Sequence, residues 1–220
     1  MKLDLHNHTV YSPDSATTVR DAISVAVRRG LDGIAVTDHN SISGSLEAVR
    51  LAEGRLVVLT GSEISTSDGH LLCIGIGEDI KKGLPMAETA EIAVSLGGIA
   101  VPSHPFRLGT GAGISVLKTL KVPAIETVNG RNLHSRNRRA WVYAKGAALG
   151  STGGSDSHAP DEIGRAFTVV DGEGMKADDV IDIIAKGASR GAGSGQGIAG
   201  SARTFYKIAS EYFQRGRKHI

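Results

Sequence analysis

Aromatic residues make up only 4% of this 220-residue chain, with a single tryptophan. That scarcity argues against a stacking platform for single-stranded nucleic acid. There is one cysteine, Cys73, inside the apolar run 71–76. No disulfide framework can form within the chain, and the residue reads as a small buried hydrophobe of a reducing compartment. Long hydrophobic runs are also missing. The stretch 92–101 is interrupted by Ser95, Gly97 and Gly98 and is too short to cross a bilayer. Asp4 and His6 come so early that no apolar leader precedes them. A soluble, cytoplasmic protein without a membrane partner is the expectation. The net charge of +2 argues neither for a polyanion-binding surface nor against one. The nucleotide P-loop pattern G-x-x-x-x-G-K-[ST] is absent.

What is present is an alternation of short apolar runs and helical stripes. Leu3 and Leu5 lie on one side of a first strand, and Thr17 or Thr18 can cap a helix striped by Val19, Ile23, Ala26 and Val27. The run 33–37 suits a strand buried on both faces, and Ser43 is placed to cap the next helix. Further strands are expected at 56–59, 70–77, 98–101, 124–128, 150–154 and 167–170, with helices between them. About seven strand–helix units result, which predicts an α/β fold with a parallel sheet or barrel. Residues 1–186 would form the main domain. The remainder, 187–220, holds a glycine-rich segment (187–200) and a closing helix (201–215) that would pack on the barrel. The glycines read as a flexible loop, or alternatively as a backbone cradle for phosphate.

The chemistry-bearing residues fall where these strands end. His6 and His8, two apart on a strand, face the same way and can converge on one ion. Asp14 follows after a Ser-Pro turn; His39, Glu63, His104, His134, Asp156 and His158 each follow a predicted strand. In folds of this kind functional groups occupy the loops after the strands. His70, at the beginning of a strand, reads as a residue behind the ligands. A donor set of imidazoles and carboxylates without thiolate suits Zn, Mn or Fe. Nine ligands exceed the needs of one ion, so two or three divalent ions are expected, with Glu63 as a bridge. Closely spaced ions hold a hydroxide at neutral pH and clamp the attacking and leaving oxygens of a displacement at phosphorus. Arg107, Arg131 and Arg165 lie near the ligand loops and could bind substrate phosphate through their planar forks.

His6-x-His8, Asp38-His39, Gly61-x-Glu63, Ser103-His104-Pro105 and Gly154-Ser155-Asp156-Ser157-His158, in that order, resemble the PHP (polymerase and histidinol phosphatase) family over about residues 1–170. The resemblance implies a distorted, TIM-like barrel of seven strand–helix units with a trinuclear metal centre at the strand C-termini. His6, His8, Glu63 and Asp156 would hold one ion. Glu63, His104 and His134 would hold the second, and Asp14, His39 and His158 the third. Arg107, Asp156 and His158 would act at the reacting phosphate. The expected activity is metal-dependent hydrolysis of a small phosphomonoester. Alternatives are a nuclease or nucleotide 3′-phosphatase, an amidohydrolase acting at carbon, and a metal-loaded module without catalysis.

Overall fold

The computed structural model describes residues 1–197. The expected closing helix at 201–215 lies outside the described residues. The element order is β1 (Lys2–Asp4), α1 (Val19–Arg28), β2 (Gly33–Ala35), α2 (Ser43–Ala52), β3 (Val57–Leu59), β4 (Gly61–Thr66), β5 (Gly69–Ile74), α3 (Met86–Ser95), β6 (Ile99–Pro102), α4 (Ile114–Thr119), β7 (Ala124–Asn129), α5 (His134–Gly146), β8 (Gly150–Gly154), β9 (Ala166–Val170), α6 (Ala177–Ala185) and β10 (Ser189–Gly193). Thr18 caps α1 as expected, its hydroxyl accepting from the Asp21 amide at 3.1 Å. Ser43 does not cap α2. Ile42 takes that position, and its own amide is bonded by the Asp79 carboxylate at 2.7 Å.

The strands form three hydrogen-bonded ladders: β10-β9-β1-β2-β3, β4-β5-β6 and β7-β8. β1, β2 and β3 run parallel, as do β7 and β8. β9 runs antiparallel to both β1 and β10, and β4-β5-β6 is antiparallel throughout. The fold is mixed α/β. Among the described residues the ladders do not close into one ring, so the seven-unit barrel is not what the hydrogen bonding shows. The tight hairpin β4–β5 has no helix between its strands, and β9 and β10, although joined through α6, pair antiparallel rather than as a repeated parallel unit. Single parallel pairings, Asn7 with Ser157 and His39 with Glu63, knit the ladders together where the candidate ligands meet.

The glycine-rich segment also differs from expectation: residues 189–193 are a strand. A side chain at Gly191 or Gly193 would press on the carbonyls of Thr152 and Arg165, so these glycines permit close backbone packing.

Three apolar clusters carry the fold. One packs Leu3, Leu5, Leu72, Ile74 and Val101 under α6. A second places Ile64, Leu71, Cys73 and Ile125 beneath α3 and α5. The third joins α1 and α2 to Ile34 and Val36. Cys73 is fully buried in the central strand of its ladder, paired with Ser62 on one side and Ala100 on the other. Burial pushes its thiol up to about 12. No helix among the described residues is long and apolar enough to cross a membrane.

Candidate metal centre

Glu63 is the hub of the site. It lies on β4, is 1% exposed, and faces five imidazoles. Its Oε1 is 2.9 Å from His104 Nε2, 3.3 Å from His6 Nε2 and 3.3 Å from His70 Nδ1. Its Oε2 is 3.2 Å from His39 Nδ1 and 3.5 Å from His8 Nε2. The two oxygens thus serve two different sets of nitrogens. His39 Nδ1 and His70 Nδ1 are buried and make no hydrogen bond despite these short approaches. Asp156 Oδ1 adds a second oxygen, 3.5 Å from His8 Nε2 and 3.7 Å from His6 Nε2. Asp14 Oδ2 lies 2.9 Å from His158 Nε2 and 3.6 Å from His39 Nε2.

Several imidazoles have a defined tautomer. Ser12 gives its one hydroxyl proton to the Asp38 carboxylate at 2.7 Å, so it can only accept from His8 Nδ1 at 3.2 Å. His158 Nδ1 faces the Asp156 carbonyl at 3.0 Å and must donate. His6 Nδ1 faces Glu126 Oε1 at 3.0 Å, again an acceptor. In all three the Nε2 lone pair is left for the centre, as metal ligation requires. With both rings neutral, as metal ligation requires, the 3.2 Å between His6 Nε2 and His8 Nε2 sets two acceptors face to face. It matches the edge of a tetrahedron with metal–nitrogen bonds of about 2.0–2.1 Å.

The electrostatics agree. Burial alone would raise the Glu63 carboxyl, but the charges of His70 and His6 and the bond from His104 hold it well below the usual carboxylate range. Asp156 is likewise held low against burial, chiefly by Arg107 and His6. Asp14 is held low against burial by His158 and His39. Burial, with His158 and His39, pushes His8 down to about 3; burial and Arg107 push His104 down to about 4. His6 goes the other way. Burial opposes its charge, but Glu126, Glu63 and Asp156 hold it well above the ordinary imidazole value. His39 is raised too: burial opposes its charge, and Asp14 and Glu63 outweigh it.

Two of the candidate ligand positions sit on strained backbone. His104 has φ 32° and Asp156 has φ 54°, in the region that disfavours side chains. Each is pinned by its amide, His104 to Glu126 Oε2 at 2.6 Å and Asp156 to the His6 carbonyl at 2.7 Å. Gly154, next to this turn, has no room for a side chain: a Cβ would collide with His6 Cβ and stand 2.7 Å from its amide.

Of the nine residues expected as ligands, the structure brings together His6, His8, Asp14, His39, Glu63, His104, Asp156 and His158. It does not bring His134. That residue opens α5 on the exposed side and lines a separate cavity of about 350 Å³ with Asn137, Arg138 and Trp141. His70 stands beside Glu63 and His104 instead. Among the described residues, four groups have donor atoms within 4.8 Å of one another: His8-His39-His158, His6-His104-Asp156, His6-His8-Glu63 and His39-Glu63-His70. Arg107 is also placed otherwise than expected. Its Nη1 pairs with Asp156 Oδ2 at 2.8 Å and its Nη2 donates to Asn129 Oδ1 at 2.6 Å. Arg131 lies close enough to lower the Asp156 carboxyl, with its Nε buried and unpartnered. The Arg165 guanidinium faces Asp161 and Glu162, at 3.7 and 4.0 Å, rather than the ligands. Glu126, also at the site, carries no signal in the sequence that sets it apart.

A family model described as "PHP domain" matches residues 4–102, and one described as "PHP-associated" matches 134–189. The chain belongs to the PHP family. An uncharacterized protein of Methanocaldococcus jannaschii is 40% identical over 117 residues, which span 48% of this chain and 68% of that one. Among solved structures, a two-domain Bacteroides vulgatus protein containing a predicted PHP-like metal-dependent phosphoesterase aligns with a TM-score of 0.72 at 19% identity. The alignment covers 88% of this chain and 65% of that protein. Endonuclease Q, solved with a duplex carrying an abasic lesion, aligns with a TM-score of 0.66 at 17% identity, over 87% of this chain and 59% of that one. At these identities the likeness is one of fold. The family is metal-dependent, and the buried imidazoles and carboxylates here are groups able to bind metal.

Proposed function

We propose that this PHP chain is a phosphoesterase that hydrolyses a small phosphomonoester at a centre of two or three divalent ions. The observation that carries the reading is the division of Glu63 between two sets of imidazoles, the arrangement of a bridging carboxylate. His6, His8, Glu63 and Asp156 would hold one ion, Glu63, His70 and His104 a second, and Asp14, His39 and His158 a third. The donor set suits Zn, Mn or Fe. Bound divalent ions supply a nucleophilic water at neutral pH and neutralise charge on the phosphoryl oxygens.

The protein supplies the rest. Neutral His8 and His104 keep their lone pairs available well into the acid range. Arg107, 21% exposed, fixes Asp156 Oδ2 and turns Oδ1 toward His6 and His8. Arg131, with an unpartnered Nε, is the cation best placed to orient a substrate phosphate, and Arg107 the second. Loaded with Zn or Mn, the protein should hydrolyse an aryl phosphate and leave the corresponding acetate and anilide intact. Turnover of the acetate or anilide but not the phosphate would overturn the reading in favour of an amidohydrolase.

The fold likeness to endonuclease Q favours a second reading, a nuclease or nucleotide phosphatase. Binding of an oligonucleotide that weakens steeply with salt, together with its cleavage, would support that substrate over a small one.

A further inference from the structure

Strand β7 carries a bulge. Its ladder with β8 pairs Glu126 with Thr152 and then Val128 with Gly153, leaving Thr127 as an extra residue. On a regular strand, residues three apart point to opposite faces. The extra residue restores parity: Thr127 and Val128 both line the outer cavity, while Glu126 and Asn129 both turn inward. Glu126 is thereby buried, 1% exposed, directly behind the ligands.

Three donors converge on it. Oε1 accepts from His6 Nδ1 at 3.0 Å; Oε2 accepts from the His104 amide at 2.6 Å and from Asn129 Nδ2 at 2.9 Å. Asn129 in turn accepts from Arg107 with its Oδ1, and its Nδ2 reaches Asp156 Oδ2 at 3.3 Å. One carboxylate thus touches the ring of one ligand and the strained backbone of another, and reaches a third through a neighbour.

We propose that Glu126 is the positioning residue of the metal centre: by accepting from His6 Nδ1 it holds the His6 ring in the tautomer that presents Nε2 to a metal ion. The inference rests on the metal-binding reading of the site. A carboxylate can satisfy all three donors because both its oxygens only accept. A glutamine cannot. With its NH₂ toward His6 it sets donor against donor or forces the proton onto Nε2; turned the other way, it opposes the His104 and Asn129 N–H groups. Carboxylates behind ligand histidines typically change metal affinity by about ten- to a hundredfold.

The test is competition between the metal-free protein and a chromophoric chelator for Zn²⁺, read as stoichiometry and affinity. E126Q should weaken Zn²⁺ binding about ten- to a hundredfold, and E126D, still acceptor-only, should fall between E126Q and the wild type. In a His6→Ala background most of the E126Q effect should vanish, because the group it acts through is gone. An unchanged affinity in E126Q, or an effect undiminished in the His6→Ala background, would overturn the proposal. If E126Q does not fold, the same cycle with E126D carries the test. A wild-type protein that binds no Zn²⁺ would overturn the metal reading itself, and the inference with it. A wild type that binds while E126Q binds equally overturns only the inference.

Discussion

Arg107 Nη1 stands 2.8 Å from Asp156 Oδ2, leaving Asp156 Oδ1 to face His6, His8 and His158. The arginine holds one oxygen of a carboxylate whose other oxygen points to the three imidazoles. Arg107→Ala should therefore lower both metal affinity and kcat/KM. A charge-assisted bond of this type contributes roughly 1.5–3 kcal/mol, so losses of about ten- to a hundredfold are expected. Arg107→Lys should recover only part, since an ammonium cannot bond Asp156 and Asn129 with one rigid fork. Wild-type Zn²⁺ affinity in Arg107→Ala would show that the pair does not position Asp156.

His70 and His134 offer a paired comparison. His70→Ala should cost the protein about one bound ion's worth of affinity, as its nitrogen is 3.3 Å from Glu63 Oε1. His134→Ala should leave metal stoichiometry as it is, because the residue lies at the separate cavity. Elemental analysis of the two variants after Zn saturation checks this. Loss of metal in His134→Ala but not in His70→Ala would reverse the assignment.

The raised imidazoles predict a proton balance. Metal ligation needs neutral rings. In the metal-free protein the surroundings of His6, and to a lesser degree His39, favour the protonated ring, while His8 and His104, pushed down to about 3 and about 4, are neutral at pH 7. Zn²⁺ should therefore release protons at pH 7, and fewer as pH rises past the His6 value. Titration calorimetry in two buffers of different ionisation enthalpy measures the number. Stability of the metal-free protein should follow the same logic. The His6 and His39 contribution is complete below about pH 6.5 and is lost as pH rises through their folded values. The His8 and His104 contribution is present above about pH 6.5 and is lost as pH falls toward 3. Zn²⁺ binding at pH 7 without proton release would contradict the His6 environment.

Gly154→Ala places a methyl group against His6, where backbone as well as side chain must yield. Overpacking of this sort costs typically about 1–3 kcal/mol. Denaturant unfolding of the metal-free variant should show that loss, and Zn²⁺ affinity should fall because His6 is displaced. Gly83→Ala, where no atom lies within 4 Å of the added carbon but φ is 83°, should cost stability through backbone strain alone and leave metal affinity as it was.

Of the residues expected as ligands, His6, His8, His39, Asp156 and His158 follow strands of the parallel pairings, and His104 follows β6 at the edge of the antiparallel ladder. There the expected register and the observed one agree. Glu63 was read as a strand end but lies inside β4, paired in parallel with His39. The sequence puts His70 behind the candidate ligands because it begins a strand. β5 is antiparallel, however, so its first residues lie at the edge where parallel strands finish, and His70 pairs with Ser65 across the hairpin. Glu126 lies within β7, where alternation gives no hint of a bulge at Thr127; nothing in residue type announces the extra residue. His134 failed for the opposite reason. It follows a strand as a ligand should, but α5 starts at that residue and sets it on the solvent side. The glycines of β10 look like a loop in composition because the closeness of Thr152 and Arg165 is a tertiary fact.

Cys73 gives the chain a built-in reporter. It is the only thiol in the sequence, fully buried, and held protonated by its surroundings. An alkylating reagent can reach it only when β4, β5 and β6 separate, and its ladder partner Ser62 adjoins Glu63. Labelling kinetics therefore time the opening of the strand that carries the hub carboxylate. Ions that tie Glu63 to His104 and His70 should slow that clock in proportion to their occupancy, so alkylation followed by mass spectrometry would read metal loading with no substrate present.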